Sequence, residues 1–164
     1  MEQIISTQYA ESFRGRLLMC VDGGYANTRI SRSGDKTDDS FFDFSPGNDW
    51  LILGGRTLPP LLEFRYISKT EDRLHYHIHL WGQPDKKLGV SRNGYLGFYK
   101  YAEVTDYWMI EPLHLLNGSL ICHLRDQSGQ SVGAIDYKRD DYRETLAPLN
   151  VKKGQIVTFD LTKY

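Results

Sequence analysis

The sequence predicts a single all-β domain spanning residues 1–164, and three observations support this prediction. Runs of alternating apolar residues, each followed by a turn cluster, recur three times at intervals of roughly 45 to 60 residues, a spacing typical of units that bury their apolar faces against one another. Aromatic residues make up 13% of the chain, with 11 Tyr, a composition that favours strands. Helix signals are scarce, and only residues 140–146 have a helix-compatible composition.

The three copies each open on an apolar strand and close on an aromatic or apolar one. The first opens with Leu18 and Cys20 and closes at 42–46, the second opens with Tyr76, Ile78 and Leu80 and closes at 108–112, and the third opens at 120–124 and closes at 157–161. We expect four large side chains of these closing strands to be buried: Phe44, Trp108, Ile110 and Phe159.

Alternation and turn residues place the individual elements. The pairs Asp22-Gly23 and Asn93-Gly94 carry the signal of a tight hairpin turn, the second more strongly because strand-like residues flank it on both sides. Residues 31–40 are rich in Asp, Ser and Gly and indicate a loop, and Pro59-Pro60 marks the passage into the second copy. The expected strands cover residues 4–8, 16–21, 41–44, 62–67, 76–81, 87–90, 95–99 and 107–110.

Charge and hydropathy exclude several classes of partner. Lys and Arg number 20 against 21 Asp and Glu, so the net charge of -1 gives no field that would attract nucleic acid. No apolar stretch approaches the roughly 20 residues of a transmembrane helix. The N-terminal residues lack the basic and apolar regions of a secretory signal, which favours a cytoplasmic location or release by another route.

The two cysteines, Cys20 and Cys122, are too few for a disulfide framework. Small buried thiols on strands are the expected interpretation. The spacing leaves open whether the two residues form a disulfide.

A closed antiparallel architecture is expected, since closure removes the exposed edges of so many short strands. At the segments named above, the chain resembles the β-trefoil superfamily, which implies three degenerate repeats. Residues 88–96 resemble a hairpin of trefoil lectins and fascin-like modules, and Met19-Cys20-Val21-Asp22 resembles the first strand and ligand-binding aspartate of a ricin-type lectin repeat. No Gln-x-Trp motif occurs, so the standard ricin-type sugar site is not carried over.

Three histidines alternate along one predicted strand. The period of two places His75, His77 and His79 on one face, opposite apolar Tyr76 and Ile78. Two imidazoles at this spacing can chelate zinc, but a complete site needs further ligands for which the sequence gives no diagnostic spacing. We therefore expect no metal here and assign the histidines to a polar outer face, with a small metal-dependent enzyme as an alternative.

Phosphate-loop and cysteine chemistries have no sequence support. The pairs Gly23-Gly24 and Gly54-Gly55 lack the Lys-Ser or Lys-Thr of a phosphate loop, and Cys20 and Cys122 lack a local activating motif. The acidic pairs Asp38-Asp39 and Asp140-Asp141 lack the ligand spacing of a calcium loop. We expect no cofactor and no catalytic residues.

Sugar recognition requires an aromatic face for the pyranose ring and acidic or amide groups for its hydroxyls. Such groups follow the first strand of each copy, although turns also favour Asp and Asn. The sequence therefore predicts a lectin-like, carbohydrate-binding module whose partner is a glycan or glycoprotein. A protein-binding module, such as an inhibitor or an interaction domain, is the alternative. The expected carbohydrate-binding residues are Trp81, Asp85, Asn93 and Tyr95 in the second copy, Asp22 in the first and Asp126 in the third.

Overall fold

The computed structural model describes residues 1–21, 24–31, 49–99, 105–135 and 146–164. These residues are predominantly antiparallel strand with one short helix, so the all-β prediction is confirmed. The elements are α1 Gln3–Tyr9, β1 Phe13–Val21, β2 Gly24–Ile30, β3 Leu51–Leu53, β4 Leu62–Lys69, β5 Leu74–Leu80, β6 Gln83–Val90, β7 Leu96–Tyr99, β8 Trp108–Leu116, β9 Ser119–Arg125, β10 Gly133–Ala134, β11 Ala147–Asn150, β12 Gln155–Ile156 and β13 Phe159–Lys163.

Six of these strands pair in a closed ring. β1 pairs with β4, β4 with β5, β5 with β8, β8 with β9, β9 with β13, and β13 returns to β1, every pair being antiparallel. A closed ring satisfies the backbone of its strands on both sides and leaves none of them as an edge.

The remaining strands form hairpins between successive ring strands. β2 and β3 come between β1 and β4, β6 and β7 between β5 and β8, and β10 to β12 between β9 and β13. The first and third sets are joined, since β3 also pairs with β11. Asn150 at the end of β11 is fully buried, and its amide donates to the Asn93 carbonyl in the β6–β7 turn at 3.1 Å. The three sets therefore contact one another away from the ring.

The inward-facing apolar side chains of the ring form one core. Trp108 and Phe159 have no exposed surface, and Ile110 is 1% exposed, which confirms these three predicted core positions. The Trp108 indole Nε1 donates to the carbonyl of Leu88 at 3.0 Å, so its polar group is also satisfied. Cys122 lies in this core and Cys20 is partly buried on β1, and both thiols are free.

The prediction of a strand at residues 4–8 is wrong, because this segment lies within α1. Ile5 and Tyr9 are four residues apart and are both 1% exposed, whereas Ile4, directly before Ile5, is 52% exposed. Residues four apart share one face of a helix, whereas in a strand Thr7 would lie on that face as well, and Thr7 is exposed. The Tyr9 ring packs edge-on against Phe13, and its carbonyl accepts a hydrogen bond from the Tyr76 hydroxyl. The core thus fixes the helix.

Some sequence predictions fall outside the described residues. These are Phe44, Asp22, the strand at 41–44, the closing segment at 42–46, most of the loop at 31–40 and residues 140–145. The segment after Pro59-Pro60 is β4, which pairs with both β1 and β5. In the part of the chain that the structure describes, no helix is long and apolar enough to cross a membrane.

Candidate functional site

Trp81 lies in the turn between β5 and β6, with its side chain largely at the surface. It is 47% exposed, as the sequence predicted from its position at a turn, whereas Trp108 is buried. The Trp81 backbone N–H donates to the Leu61 carbonyl at 3.0 Å, which fixes the turn against the chain before β4. The Arg14 guanidinium carbon lies 4.5 Å from the centroid of the Trp81 ring, within the range of a cation–π contact. The indole is therefore held in place while much of its surface stays in solvent.

A second aromatic residue contacts a second arginine beside it. The Arg16 guanidinium carbon lies 4.8 Å from the ring centroid of Tyr164, whose side chain is 75% exposed. The Tyr164 backbone N–H donates to the Arg14 carbonyl at 2.8 Å, so β13 holds this ring beside β1. Trp81, Arg14, Arg16 and Tyr164 together form a surface that we call the arginine face.

The sequence interpretation missed the arginine face. Arg14 and Arg16 alternate with buried Gly15 and Leu17, and this period of two is the local signal that both arginines point outward from β1. Their proximity to Trp81 and Tyr164 depends on the pairing of β1 with β4 and β13, which lie far away in sequence. Only the closed ring of strands brings the four residues together.

Two of the other predicted residues of the second copy, Asn93 and Tyr95, are separated from Trp81 by the length of β6. Asp85 is exposed within β6, and Asn93 is exposed in the turn that follows the strand. Tyr95 stacks on Trp50, with ring centroids 5.1 Å apart and planes 8° from parallel. The turn at Asn93-Gly94 is confirmed, with β6 and β7 paired on either side and Gly94 at φ +91°. The structure thus places Trp81 before β6, and Asn93 and Tyr95 after it.

Asp126 is a turn residue with its carboxylate occupied. It is 8% exposed, and one carboxylate oxygen accepts hydrogen bonds from the backbone N–H groups of Ser128 and Gln130 at 3.0 and 2.8 Å. This is the Asx-type turn that competes with ligand binding as an explanation of an Asp after a strand. The predicted site of the third copy is therefore explained by a turn. Asp22, the predicted site residue of the first copy, lies outside the described residues.

Glu111 on β8 anchors a polar cluster across β8 and β9. Its carboxylate accepts from Arg125 Nε at 2.8 Å and from Arg125 Nη2 at 3.2 Å, and lies 3.3 Å from His123 Nδ1. The hydrogen bonds from Arg125 lower the pKa of the Glu111 carboxyl below its ordinary value. Because both oxygens are paired with neighbouring side chains, we assign this cluster to pairing of the two strands.

The three histidines of β5 alternate with buried apolar residues. His75 and His77 are half-buried, whereas His79 is only 7% exposed. His77 Nδ1 lies 3.2 Å from the Asp106 carbonyl and His79 Nδ1 lies 2.9 Å from the Pro84 carbonyl, contacts in which the ring nitrogen must donate. No group of three His, Cys, Asp or Glu residues within the described ranges is arranged to hold a metal ion. Burial lowers the pKa of all three imidazoles below the ordinary value.

The lowered pKa values predict a loss of stability in acid. Histidines of the unfolded chain titrate near pH 6.5, so below about that pH the unfolded state binds more protons than the folded state. Stability from neutral His77 and His79 is complete above this pH and is lost as the pH falls toward their folded-state pKa values. We expect urea melts between about pH 7 and about pH 5 to show a flatter decline for a His77→Gln/His79→Gln variant than for the native chain.

The control is His114→Gln, which removes an exposed histidine from β8 and should leave the decline unchanged. If the free energy of unfolding fell equally steeply with pH in the native chain and in the double variant, the loss of stability in acid would not come from His77 and His79.

Two surface clefts are lined by residues outside the arginine face. One of about 200 Å³ is lined by Cys20, Ile156 and Thr158, and another of about 350 Å³ by Arg29, Thr57 and Leu58. Neither contains a predicted carbohydrate-binding residue.

The described residues define an all-β chain with an exposed, arginine-supported tryptophan. Comparison with family models, with curated proteins and with solved structures gives no match for this chain.

Proposed function

We propose that this chain is a carbohydrate-binding module of the β-trefoil type, without catalytic activity. The six-stranded ring supports the fold proposal, since its members come in three consecutive pairs along the chain. The hairpins add support, because each set lies between the two ring strands of one pair. Under this proposal the repeats are β1 to β4, β5 to β8 and β9 to β13.

The exposed position of Trp81 is the observation that carries the functional proposal. A pyranose has an apolar face of C–H groups that stacks on an aromatic ring, and a fixed ring binds it with little loss of side-chain entropy. The backbone hydrogen bond to the Leu61 carbonyl fixes the turn, and the Arg14 guanidinium contacts the indole before a ligand arrives. Its 47% exposure leaves room for a sugar ring.

Polar groups around Trp81 suit the hydroxyls of a sugar. Arg14 and Arg16 supply N–H donors, and Asp85 in the adjacent β6 supplies an exposed carboxylate acceptor. Under this proposal Trp81 has the stacking role that the sequence predicted. Tyr95 and Asn93 are outside this proposed site, since they follow the far end of β6.

The test is a glycan array followed by calorimetric titration. Replacing Trp81 by Ala should weaken binding of any array glycan by about 1 to 3 kcal/mol, because the apolar contact with the indole is lost. Denaturant melts should change by less than about 1 kcal/mol, as for other surface substitutions.

Leu116→Ala is the matched control, since Leu116 is 44% exposed on β8 and lies outside the proposed site. Glycan binding that survives Trp81→Ala in a folded protein would remove the site from Trp81. A native chain that binds no glycan on the array would contradict the carbohydrate-binding proposal altogether and favour the protein-binding alternative.

A further inference from the structure

We infer that the arginine face binds the acidic group of an anionic glycan, with Arg14 and Arg16 as the anion-binding residues. This inference rests on the proposed function and names its ligand class, a pyranose that carries a carboxylate or a sulfate.

The first observation is that both charges are uncompensated. Among the described residues no carboxylate oxygen lies within 4 Å of either guanidinium, and neither arginine takes part in an ion pair. Glu63 is the register partner of Arg14 across β1 and β4, but its carboxylate bonds Arg65 Nη2 at 3.1 Å. Two positive charges therefore remain unpaired on a chain whose net charge is only -1.

The positive charge of Lys163, by contrast, is paired with a carboxylate. Lys163 on β13 lies 2.6 Å from the Glu11 carboxylate and also donates to the Gln8 carbonyl. The surplus of charge on this part of the surface is thus specific to Arg14 and Arg16.

The second observation is that the N–H groups of the two arginines remain available. The Arg14 guanidinium carbon lies 4.5 Å from the Trp81 ring centroid, and Arg14 donates no hydrogen bond to a described residue. Arg16 donates only Nε, to the Pro59 carbonyl at 3.1 Å, and its guanidinium carbon lies 4.8 Å from the Tyr164 ring centroid. A cation–π contact uses no N–H donor, so the remaining N–H groups can bind a carboxylate or sulfate through two parallel hydrogen bonds.

The spacing of the two arginines suits one anionic group. Arg14 and Arg16 are two positions apart on the outer side of β1, which separates their Cα atoms by about 7 Å. Long side chains bridge this separation, so one acidic group can accept from both. The aromatic rings of Trp81 and Tyr164 lie on the same arginines and provide the adjoining surface for sugar rings.

The experiment uses an array of matched oligosaccharides in neutral, sialylated and sulfated forms, with the intact chain as the binder. We expect the acidic form of a pair to bind at least about tenfold more tightly than the neutral form, and this preference to fall as sodium chloride rises from about 50 to about 500 mM. The affinities of the sialylated and sulfated forms, compared with each other, identify which acidic group is preferred.

Charge-removing variants locate the preference. Arg14→Gln and Arg16→Gln should each reduce the ratio of acidic to neutral affinity by about three- to tenfold, and Arg14→Lys and Arg16→Lys should restore part of it, since they keep the charge. Arg92→Gln removes an exposed arginine from the β6–β7 turn and should leave the ratio unchanged. Melting curves of all variants establish that they are folded.

The outcomes separate the two proposals. Neutral and acidic glycans that bind equally, or a preference that the Arg14 and Arg16 variants leave intact, would overturn this inference while carbohydrate binding stands. Failure to bind any glycan would overturn both. Tighter binding of a single-stranded oligonucleotide than of every acidic glycan would replace the glycan by a phosphate backbone and would also overturn the inference.

Discussion

Replacing Trp108 by Ala is expected to lower the free energy of unfolding by about 3 to 5 kcal/mol, the range observed when a large aromatic side chain is removed from a core. Trp108 has no exposed surface and lies at the start of β8, where β8 pairs with β5. The truncation opens a cavity inside the ring and leaves the Leu88 carbonyl without its indole donor.

The measurement is a urea melt followed by circular dichroism, with Trp81→Ala as the matched control. Both variants remove an indole, but only Trp108 is buried, so the Trp81 variant should lose less than about 1 kcal/mol. A loss below about 1 kcal/mol for Trp108→Ala would show that this residue does not contribute to the core as its burial indicates. Trp108→Phe separates the two terms, because it keeps most of the ring and removes the hydrogen bond to Leu88.

Gly154→Ala is expected to destabilise the protein by about 2 to 5 kcal/mol, combining overpacking with an unfavourable left-handed backbone. Gly154 has φ +94°, and a Cβ atom there would lie 2.5 Å from the Ala134 carbonyl oxygen and 2.6 Å from the carbonyl carbon. Ala134 belongs to β10, which pairs with β12 directly after Gly154. The added methyl group would therefore push β10 and β12 apart at backbone atoms that cannot rotate away.

Gly82→Ala is the control for the backbone term. Gly82 has φ +77° in the β5–β6 turn, and nothing lies within 4 Å of a Cβ atom built there. It should cost only about 1 kcal/mol, from the positive φ alone. If the two glycine variants lost the same free energy of unfolding in parallel melts, β10 and β12 would accommodate the added methyl group without destabilising the protein.

The strands with regular alternation were predictable from local sequence. Tyr76 and Ile78 alternate with His75 and His77, and this period of two gives both the strand and its buried side. The Asn93-Gly94 turn was predictable for a similar reason, since Gly94 needs a positive φ that other residues rarely adopt. In both cases the information lies within a few neighbouring residues.

The helix at the N-terminus shows where local reasoning failed. Residues 4–8 contain the β-branched Ile4, Ile5 and Thr7, which are typical of a strand, yet they form part of α1. The deciding interactions lie outside the segment: Tyr9 packs against Phe13, and the hydroxyl of Tyr76, 67 residues away, donates to the Tyr9 carbonyl. A propensity of a few tenths of a kcal/mol per residue is easily overridden by such packing.

In the candidate site, too, some features were predictable from local sequence and others depend on strand pairing. Trp81 was predictable as an exposed aromatic because it follows a strand and precedes a Gly-containing turn. Its partner Arg14 was not, because the contact depends on β1 pairing with β4 and β4 with β5. Asp126 resembled a ligand-binding residue in sequence, and only its contacts with Ser128 and Gln130 identify it as part of a turn.

The sequence by itself determined the all-β class, most of the strands, the β6–β7 turn and the contrast between exposed Trp81 and buried Trp108, since each depends on periodicity or on turn chemistry within a short window. The tertiary structure alone decided the helix at α1, the closed ring and the assembly of Arg14, Arg16, Trp81 and Tyr164 into one face. These features depend on strand pairing between residues far apart in the chain, and no local pattern encodes which strand is the neighbour of which.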